Sequence, residues 1–246
     1  MKNFTIITAR TRSKRLPSKI LYKFSKNLRT IDIIIMRAKK IGLPIILATS
    51  KNKFDNHLVN YVKNKYDIII FRGKEQNVLG RWHDCFKKFK IKYACMVDGD
   101  DLSFDFNLYR SGLKKIKNKY EVITKPEKII TGLFTYVLSD NSIQKAYRTF
   151  SKKKIGMMDS VFKKIDLKKR ELKIPFEFKK KNIRLTLDYI EDYNFFYVLY
   201  NFLHPCTSSI KIVNFLKKNK DICKLNYFRE AFWKRNQRVQ GKMQSY

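Results

Sequence analysis

Short apolar runs alternate with longer helical patterns through the first half of the chain. Continuous apolar runs of the kind found in buried parallel strands lie at residues 4–8, 45–49, 68–71 and 93–97. Apolar residues spaced three and four apart, with lysines on the opposite face, predict helices at 31–40, 54–65, 78–89 and 106–119. This alternation predicts an α/β fold, a Rossmann-like open, mostly parallel sheet with helices on both faces.

The second half of the chain has a weaker pattern. Further strands are predicted at 122–124, 133–138 and 183–187, and further helices at 192–203, 209–218 and 226–235. The lysine-rich stretch 155–182, which contains Pro175, predicts an irregular arm. Because no internal repeat or linker interrupts the pattern, we expect one domain over residues 1–240, followed by a frayed basic tail at 241–246.

Composition narrows the choice of partners and compartment. The 55 Lys and Arg residues exceed the 21 Asp and Glu residues and give a formal charge of +34, which favours anionic partners. The four cysteines form no C-x-x-C pair and have no histidine at metal-ligand spacing, so neither a zinc site nor a disulfide framework is predicted. No apolar run is long enough to span a membrane, and we expect a cytoplasmic protein.

A basic loop follows the first predicted strand. Residues 9–19 contain five cations and several hydroxyls, and the carboxyl end of a strand is where open α/β sheets bind ligands. Arginine forks and lysine ammonium groups in such a loop favour a polyphosphate guest. The loop lacks the Gly-rich phosphate-binding signatures, and a solvated basic loop is the alternative interpretation.

Sharply placed carboxylates form a second candidate site. Asp98-Gly99-Asp100-Asp101 follows the fourth predicted strand, and Asp188 follows the late one. Mg²⁺ prefers a few carboxylates together with nucleotide phosphate oxygens, so an aspartate from each of two strand ends would suit it. A turn with side-chain-to-backbone hydrogen bonds is the alternative for the Asp-Gly-Asp-Asp segment.

Several motifs of the chain resemble one enzyme family. Ala9, Arg10, Ser13, Arg15, Leu16, Pro17, Lys19 and Leu21 reproduce the pattern A-R-x-x-S-x-R-L-P-x-K-x-L. On these positions the chain resembles the sugar-acid cytidylyltransferases of the CMP-Kdo and CMP-sialate synthetase superfamily, and is most similar to their spore-coat polysaccharide, SpsF-like branch. Shorter likenesses support this at 48–50 (Ala-Thr-Ser), at 71–82 and at 184–192.

The resemblance implies a nucleotide-diphospho-sugar transferase-like fold and a role for each matching residue. It implies that Arg10, Arg15, Lys19 and Asp100 are catalytic, and that Asp100 and Asp188 bind Mg²⁺. The nucleotide-binding residues that it implies are Ala9, Arg10, Ser13, Arg15, Lys19, Thr49, Ser50, Arg72, Asn77 and Arg81. The implied substrates are CTP and an acidic small-molecule acceptor, the implied product serves surface polysaccharide or glycan synthesis, and relatives are commonly homodimers.

Departures from the family pattern concern the acceptor. Where the branch usually reads R-x-T-G-D-N-P, residues 96–102 read Met-Val-Asp-Gly-Asp-Asp-Leu, and Ile190 replaces the usual proline. The expected acceptor is a sugar acid, with a phosphosugar, phosphoalcohol or phosphonate as alternatives. An inactive relative and a non-catalytic basic protein that binds nucleic acid or an acidic surface are further alternatives. Nucleic-acid binding is disfavoured because the lysines are spread over every helix and no nucleic-acid-binding motif occurs.

Overall fold

The computed structural model describes residues 2–117, 119–151, 158–179 and 181–242. The strands in this part of the chain are β1 (Lys2–Thr8), β2 (Lys23–Ser25), β3 (Leu28–Arg29), β4 (Ile45–Ser50), β5 (Ile69–Gly73), β6 (Ile91–Asp98), β7 (Val122–Thr124), β8 (Tyr136–Ser139) and β9 (Lys169–Glu171). The helices are α1 (Thr30–Lys39), α2 (Asn56–Lys65), α3 (Val78–Phe89), α4 (Phe106–Ile116), α5 (Asp140–Phe150), α6 (Met158–Lys163), α7 (Ile190–Phe202), α8 (Ser209–Lys218), α9 (Lys220–Lys224) and α10 (Arg229–Lys242). None of these helices is long and apolar enough to cross a membrane.

Among the described residues, seven strands form one sheet in the order β5-β4-β1-β6-β8-β7-β9, and β2 and β3 form a separate hairpin. The four predicted strands of the first half are confirmed as the parallel strands β1, β4, β5 and β6. Strand β8 runs antiparallel to β6 and β7, whereas β9 is parallel to β7. The predicted open, mostly parallel sheet is therefore confirmed, with one reversed strand within it.

Helices cover both faces of the sheet because neighbouring side chains of a strand point in opposite directions. Ile7 of β1 packs in a core cluster with Ile33 of α1 and Leu58 of α2. Ile6, its neighbour, packs in a second cluster with Phe86 of α3 and Ile143 of α5. The two clusters confirm the predicted packing of helices on both faces.

The strand predicted at 183–187 is wrong. This segment is extended, but it makes a single isolated bridge, between Arg184 and Thr131. Its backbone is held by loops: Leu185 N–H donates to the carbonyl of Thr131 at 3.0 Å, and Leu187 N–H donates to that of Asp100 at 2.8 Å. Asp188 therefore follows a segment clamped between two loops and not the end of a sheet strand.

The stretch predicted as an irregular arm, 155–182, contains regular structure where the structure describes it. Helix α6 is followed by β9, which pairs with β7 from Val122 to Thr124. Leu172 and Phe178 are buried in the core beyond β9. This part of the segment thus extends the sheet.

A frayed tail is predicted at residues 241–246. Residues 241 and 242 belong to α10, and residues 243–246 lie outside the described part of the chain.

Candidate active site

The basic loop folds back on itself after β1. The backbone N–H groups of Ser13 and Ser18 both donate to the carbonyl of Thr11, at 3.0 and 2.8 Å, and Ser18 takes a left-handed conformation with φ 56°. The buried side chains of Leu16 and Ile20 anchor the loop in the core. These apolar anchors explain the uncharged positions within the basic run, since they fix where the cations point.

Lys19 joins the two carboxylates that the sequence assigns to metal binding. Its Nζ lies 2.7 Å from Oδ2 of Asp100, 2.8 Å from Oδ1 of Asp188 and 2.6 Å from the carbonyl oxygen of Leu187. Burial opposes the positive charge, but the two carboxylates outweigh it and raise the pKa of Lys19. Asp100 and Asp188, which are distant in the sequence, thus face one common point.

Asp188 is surrounded by cations. Besides Lys19, its Oδ1 lies 2.5 Å from Nη2 of Arg15, and its Oδ2 lies 3.3 Å from Nη2 of Arg184. Burial alone would raise the pKa of this carboxyl, but Lys19 and Arg15 hold it well below its usual range. Among the described residues, the buried Nε of Arg15 has no hydrogen-bond partner, so this guanidinium retains a donor for an anionic ligand.

Three aspartates form a tight cluster next to this network. Oxygens of Asp98, Asp100 and Asp101 all lie within 4.8 Å of one another. Burial, and then the charge of Asp100, raise the pKa of Asp98 to about 7, and the same causes raise that of Asp101 well above its ordinary value. Concentrated negative charge on oxygen donors suits a divalent cation, which would relieve the repulsion. The three aspartates therefore fit a divalent metal. Of the two ligands that the resemblance implies, Asp100 belongs to this cluster, whereas the oxygens of Asp188 contact Lys19, Arg15 and Arg184.

Asp55 organises the opposite side of the loop. Its Oδ1 accepts from the backbone N–H and the hydroxyl of Thr11, both at 2.7 Å. Its Oδ2 accepts from the Thr49 hydroxyl at 2.9 Å and from the Ser50 N–H and hydroxyl. Burial opposes the charge, but these hydrogen bonds lower the pKa of Asp55. The hydroxyls of Thr49 and Ser50 thus hold the basic loop against the end of β4.

Two further residues assigned to the nucleotide are Arg72, near the end of β5, and Arg81, in the first turn of α3. Arg72 donates to the carbonyls of Ser50 and Asn52, at 2.9 and 2.8 Å. Arg81 is buried and donates to the carbonyl of Lys74 at 2.9 Å. Burial, and then the nearby charge of Arg10, lower the pKa of Arg81 to about 10. Arg10 and Arg81 thus place two positive charges near each other, and this arrangement favours an anionic ligand.

Three further residues assigned from the sequence, Asn77, Ser13 and Ala9, make contacts within the fold. Asn77 caps α3, with its Oδ1 accepting from Gly80 N–H at 2.7 Å. The Ser13 hydroxyl accepts from Leu16 N–H at 3.4 Å. Ala9 packs so closely under Gly99 that a β-carbon on that glycine would lie 2.8 Å from the Ala9 Cβ. Their predicted contacts with the nucleotide stay predictions.

A cavity of about 150 Å³ opens beside the carboxylates. Its lining includes Arg15 and the aspartates Asp98, Asp100, Asp101 and Asp188, together with Lys125, three threonines, Gly132, Phe134 and Trp233. Trp233 belongs to α10. Its helix is tied to the site by Glu230, whose Oε2 lies 3.0 Å from Nη1 of Arg184. Sequence reasoning missed this contribution, because nothing in the pattern of α10 indicates which face meets the site.

The comparison with known proteins agrees with this arrangement. Residues 4–235 match the model of the family described as Cytidylyltransferase. The chain belongs to the cytidylyltransferase family. As a cytidylyltransferase family member it is a nucleotidyltransferase, and the resemblance drawn from the motifs is confirmed.

Individual relatives cover most of the chain. It is similar to an uncharacterized protein from Methanocaldococcus jannaschii, with 30% identity over 92% of this chain and 95% of the relative. It is 24% identical to the spore coat polysaccharide biosynthesis protein SpsF of Bacillus subtilis, over 88% of this chain and 94% of that protein. The structure of a cytidylyltransferase from Leptospira borgpetersenii superposes with a TM-score of 0.79 at 21% identity, covering 91% of this chain and 97% of that one.

Proposed function

We propose that this cytidylyltransferase joins CMP from CTP to a hydroxyl of a sugar acid, with release of pyrophosphate. The observation that carries the proposal is the convergence of Arg15 and Lys19 with Asp100 and Asp188 at one point. Cations that bind a polyphosphate and carboxylates that bind a metal are the two groups that nucleotidyl transfer requires, and here they are in direct contact.

In the proposed reaction, the acceptor oxygen attacks the α-phosphorus of CTP. A new oxygen–phosphorus bond forms, the bond to the bridging oxygen of pyrophosphate breaks with its electron pair leaving on pyrophosphate, and the hydroxyl proton is released. Arg10, Arg15 and Lys19 bind the triphosphate and stabilise the charge that accumulates on the departing pyrophosphate. Such transfer depends on alignment and charge neutralisation, so no covalent intermediate is required.

We propose that Asp100 and Asp188 hold Mg²⁺, and that Asp98 lies close enough to contribute an oxygen. A bound Mg²⁺ supplies electrostatic polarisation of the phosphate oxygens. Lys19 contacts both carboxylates and thereby keeps them together. When the two carboxylates hold a cation, the Lys19 ammonium can pair with the phosphates of CTP instead. The carboxylates and the ammonium then each still face a group of opposite charge.

The acceptor class is argued from charge and from relatives. An acidic acceptor finds a cation at Lys125 on the cavity wall. The printed name of the Bacillus relative concerns spore coat polysaccharide, which supports a product used in surface polysaccharide or glycan synthesis. Phosphosugars, phosphoalcohols and phosphonates carry comparable charge and belong in the same test. A homodimer stays a prediction of the resemblance.

The test is pyrophosphate release with Mg²⁺ from CTP, UTP, ATP or GTP. Each nucleotide is paired with sugar acids, phosphosugars, a phosphoalcohol and phosphonates. We expect release that requires CTP and a sugar acid. Asp100→Asn removes one ligand charge while keeping the shape of the side chain, and it should abolish metal-dependent release without unfolding the protein. Asp221→Asn, at a highly exposed carboxylate on α9, is the matched control.

Three results would contradict the proposal. Release that prefers another nucleotide would overturn the donor, and release only with a phosphorylated acceptor would overturn the sugar-acid class. No release from any pair, together with unchanged thermal stability on adding CTP, would overturn the enzyme assignment. Tight binding of Asp100→Asn to nucleic acid would then favour the non-catalytic alternative.

A further inference from the structure

The residues of the candidate site lie on both sides of strand β1 in the sheet. Thr49, Ser50 and Arg72 lie at the carboxyl ends of β4 and β5, on one side of β1. The cavity lies on the other side of β1, where Asp98 ends β6 and Thr135 immediately precedes β8. A ligand at the carboxyl ends of such a sheet can therefore occupy two compartments that share the loop after β1.

The cavity has a chemical character of its own. Besides Arg15 and the four aspartates, which belong to the proposed phosphate and metal site, the cavity is lined by the hydroxyls of Thr131, Thr135 and Thr186 and by the aromatic surface of Trp233. Lys125 adds a cation whose ion pair with Asp159 is long, at 3.8 Å between Nζ and Oδ2. An aromatic surface, hydroxyls and an ammonium together match a hydroxylated ring that carries an anionic group.

Trp233 is held in place by buried charges. Glu230 lies one turn earlier on α10, and it is buried with Arg184, which contacts it at 3.0 Å. The other oxygen of Glu230 accepts from the Thr131 hydroxyl at 3.0 Å. The guanidinium carbon of Arg184 lies 5.7 Å from the centre of the Trp233 ring. The same guanidinium also contacts Asp188, so the wall of the cavity and a proposed metal ligand share one anchor.

We propose that Trp233 forms a wall of the acceptor subsite, and that this subsite takes a hydroxylated ring whose anionic group pairs with Lys125. The proposal rests on the proposed function, because it assigns the acceptor half of that site. Arg184 and Glu230 are positioning residues for Trp233. In this proposal the nucleotide lies on the β4–β5 side of the sheet and does not contact the indole of Trp233.

The first test separates the KM values of the two substrates. Trp233→Leu should raise the acceptor KM about threefold to tenfold, the range that corresponds to one aromatic contact, and leave the CTP KM unchanged. Trp233→Phe should restore much of the affinity, and Lys125→Gln should raise the acceptor KM with little change for CTP. Phe232→Leu is the matched control, because Phe232 is the exposed neighbour on the same helix and does not line the cavity.

A second test reads binding without turnover. The chain has two tryptophans, and Trp82 is buried with its Nε1–H donating to Thr8. In the Trp82→Phe variant, the tryptophan fluorescence emission therefore comes from Trp233 alone. Kdo and N-acetylneuraminate are the sugar-acid probes, and glucose is the uncharged control. We expect a sugar acid to change the emission in a saturable way with CTP and Mg²⁺ present, and glucose to leave it unchanged.

The outcomes separate this inference from the proposed function. Turnover with equal acceptor KM values in the parent and in Trp233→Leu, or a parallel rise in both KM values, would overturn the inference and leave the function standing. If no acceptor supports turnover, the proposed function fails, and the Trp233 fluorescence then tests whether a sugar acid binds in the cavity. A saturable change with a sugar acid then supports the subsite, and an unchanged emission with both probes overturns it.

Discussion

Lys19 and Asp188 are 169 residues apart in the chain, yet Nζ of the lysine lies 2.8 Å from Oδ1 of the aspartate. The pair joins the loop after β1 to the segment that precedes α7. Both side chains are largely withdrawn from solvent, with 11% and 3% exposed. Removing one member of such a pair leaves a buried charge with less compensation, so the contact contributes to stability as well as to the site.

We expect Lys19→Met to lower the free energy of unfolding by about 3 kcal/mol, the low end for a broken buried pair, because Arg15 and Arg184 still contact Asp188. The substitution should also abolish turnover. Urea unfolding at neutral pH measures the first effect. Lys14→Met is the control, since Lys14 is an exposed cation in the same loop, and it should change the stability little. Equal stabilities for the two variants would show that the pair does not stabilise the fold.

Asp55 makes stability depend on pH. Its pKa in the folded state is lowered, so its contribution is complete above the unfolded value of about 3.9 and is lost as the pH falls through the folded value. We expect Asp55→Asn to cost about 2 kcal/mol at neutral pH, because the amide cannot accept from all the donors that face the carboxylate. The difference from the parent should shrink near pH 3 in urea unfolding at high salt. A difference that stays constant with pH would contradict the assignment.

The fold was largely predictable because its signals are local. Buried parallel strands produce continuous apolar runs, and the helices between them repeat with helical spacing. The error at 183–187 has a physical cause. Ile183, Leu185 and Leu187 are buried as they would be in a strand, but their partners are two loops. Only the tertiary structure supplies those partners.

The candidate site was predictable where a motif names the residue. The motif residues Arg15, Lys19, Asp100 and Asp188 do come together. Asp55 was missed because it lies at the start of a stretch that predicts a helix, 44 residues from the Thr11 that it holds. The Arg184–Glu230 pair and Trp233 were missed because their contacts join segments with no shared pattern. Side chains that position others leave a weaker local signal than side chains that bind phosphate.

Gly132 tests how the segment that carries Asp188 is held. Its φ is +93°, and a β-carbon there would lie 2.1 Å from the carbonyl oxygen of Leu185. We expect Gly132→Ala to cost about 3 kcal/mol from backbone strain and overpacking together, and to reduce turnover by displacing the segment. Gly42→Ala is the matched control. Gly42 has a similar φ of +85° but open space around it, so only the strain of about 1 kcal/mol should appear in thermal or urea unfolding. Equal losses in the two variants would show that contact with Leu185 does not matter.

Arg37 stabilises the fold through neutral partners. It is buried, which lowers its pKa, and it donates to the carbonyls of Phe104, Pro205 and Thr207 and to the Ser209 hydroxyl. These bonds join α1 to the turn after the aspartate cluster and to the start of α8. We expect Arg37→Met to lower the free energy of unfolding by about 3 kcal/mol, because several buried carbonyls lose their donor.

The matched control is Arg110→Met, at an exposed arginine with a longer bond of 3.4 Å to the carbonyl of Ile41. Its loss should be within about 0.5 kcal/mol, as for most surface positions. Arg37 touches neither the cavity nor the basic loop, so Arg37→Met should keep most of its turnover at temperatures where it stays folded. A large loss of turnover with unchanged urea unfolding would show that Arg37 acts on the candidate site and not on stability. It could do so through the turn that it anchors, because that turn follows directly on Asp101.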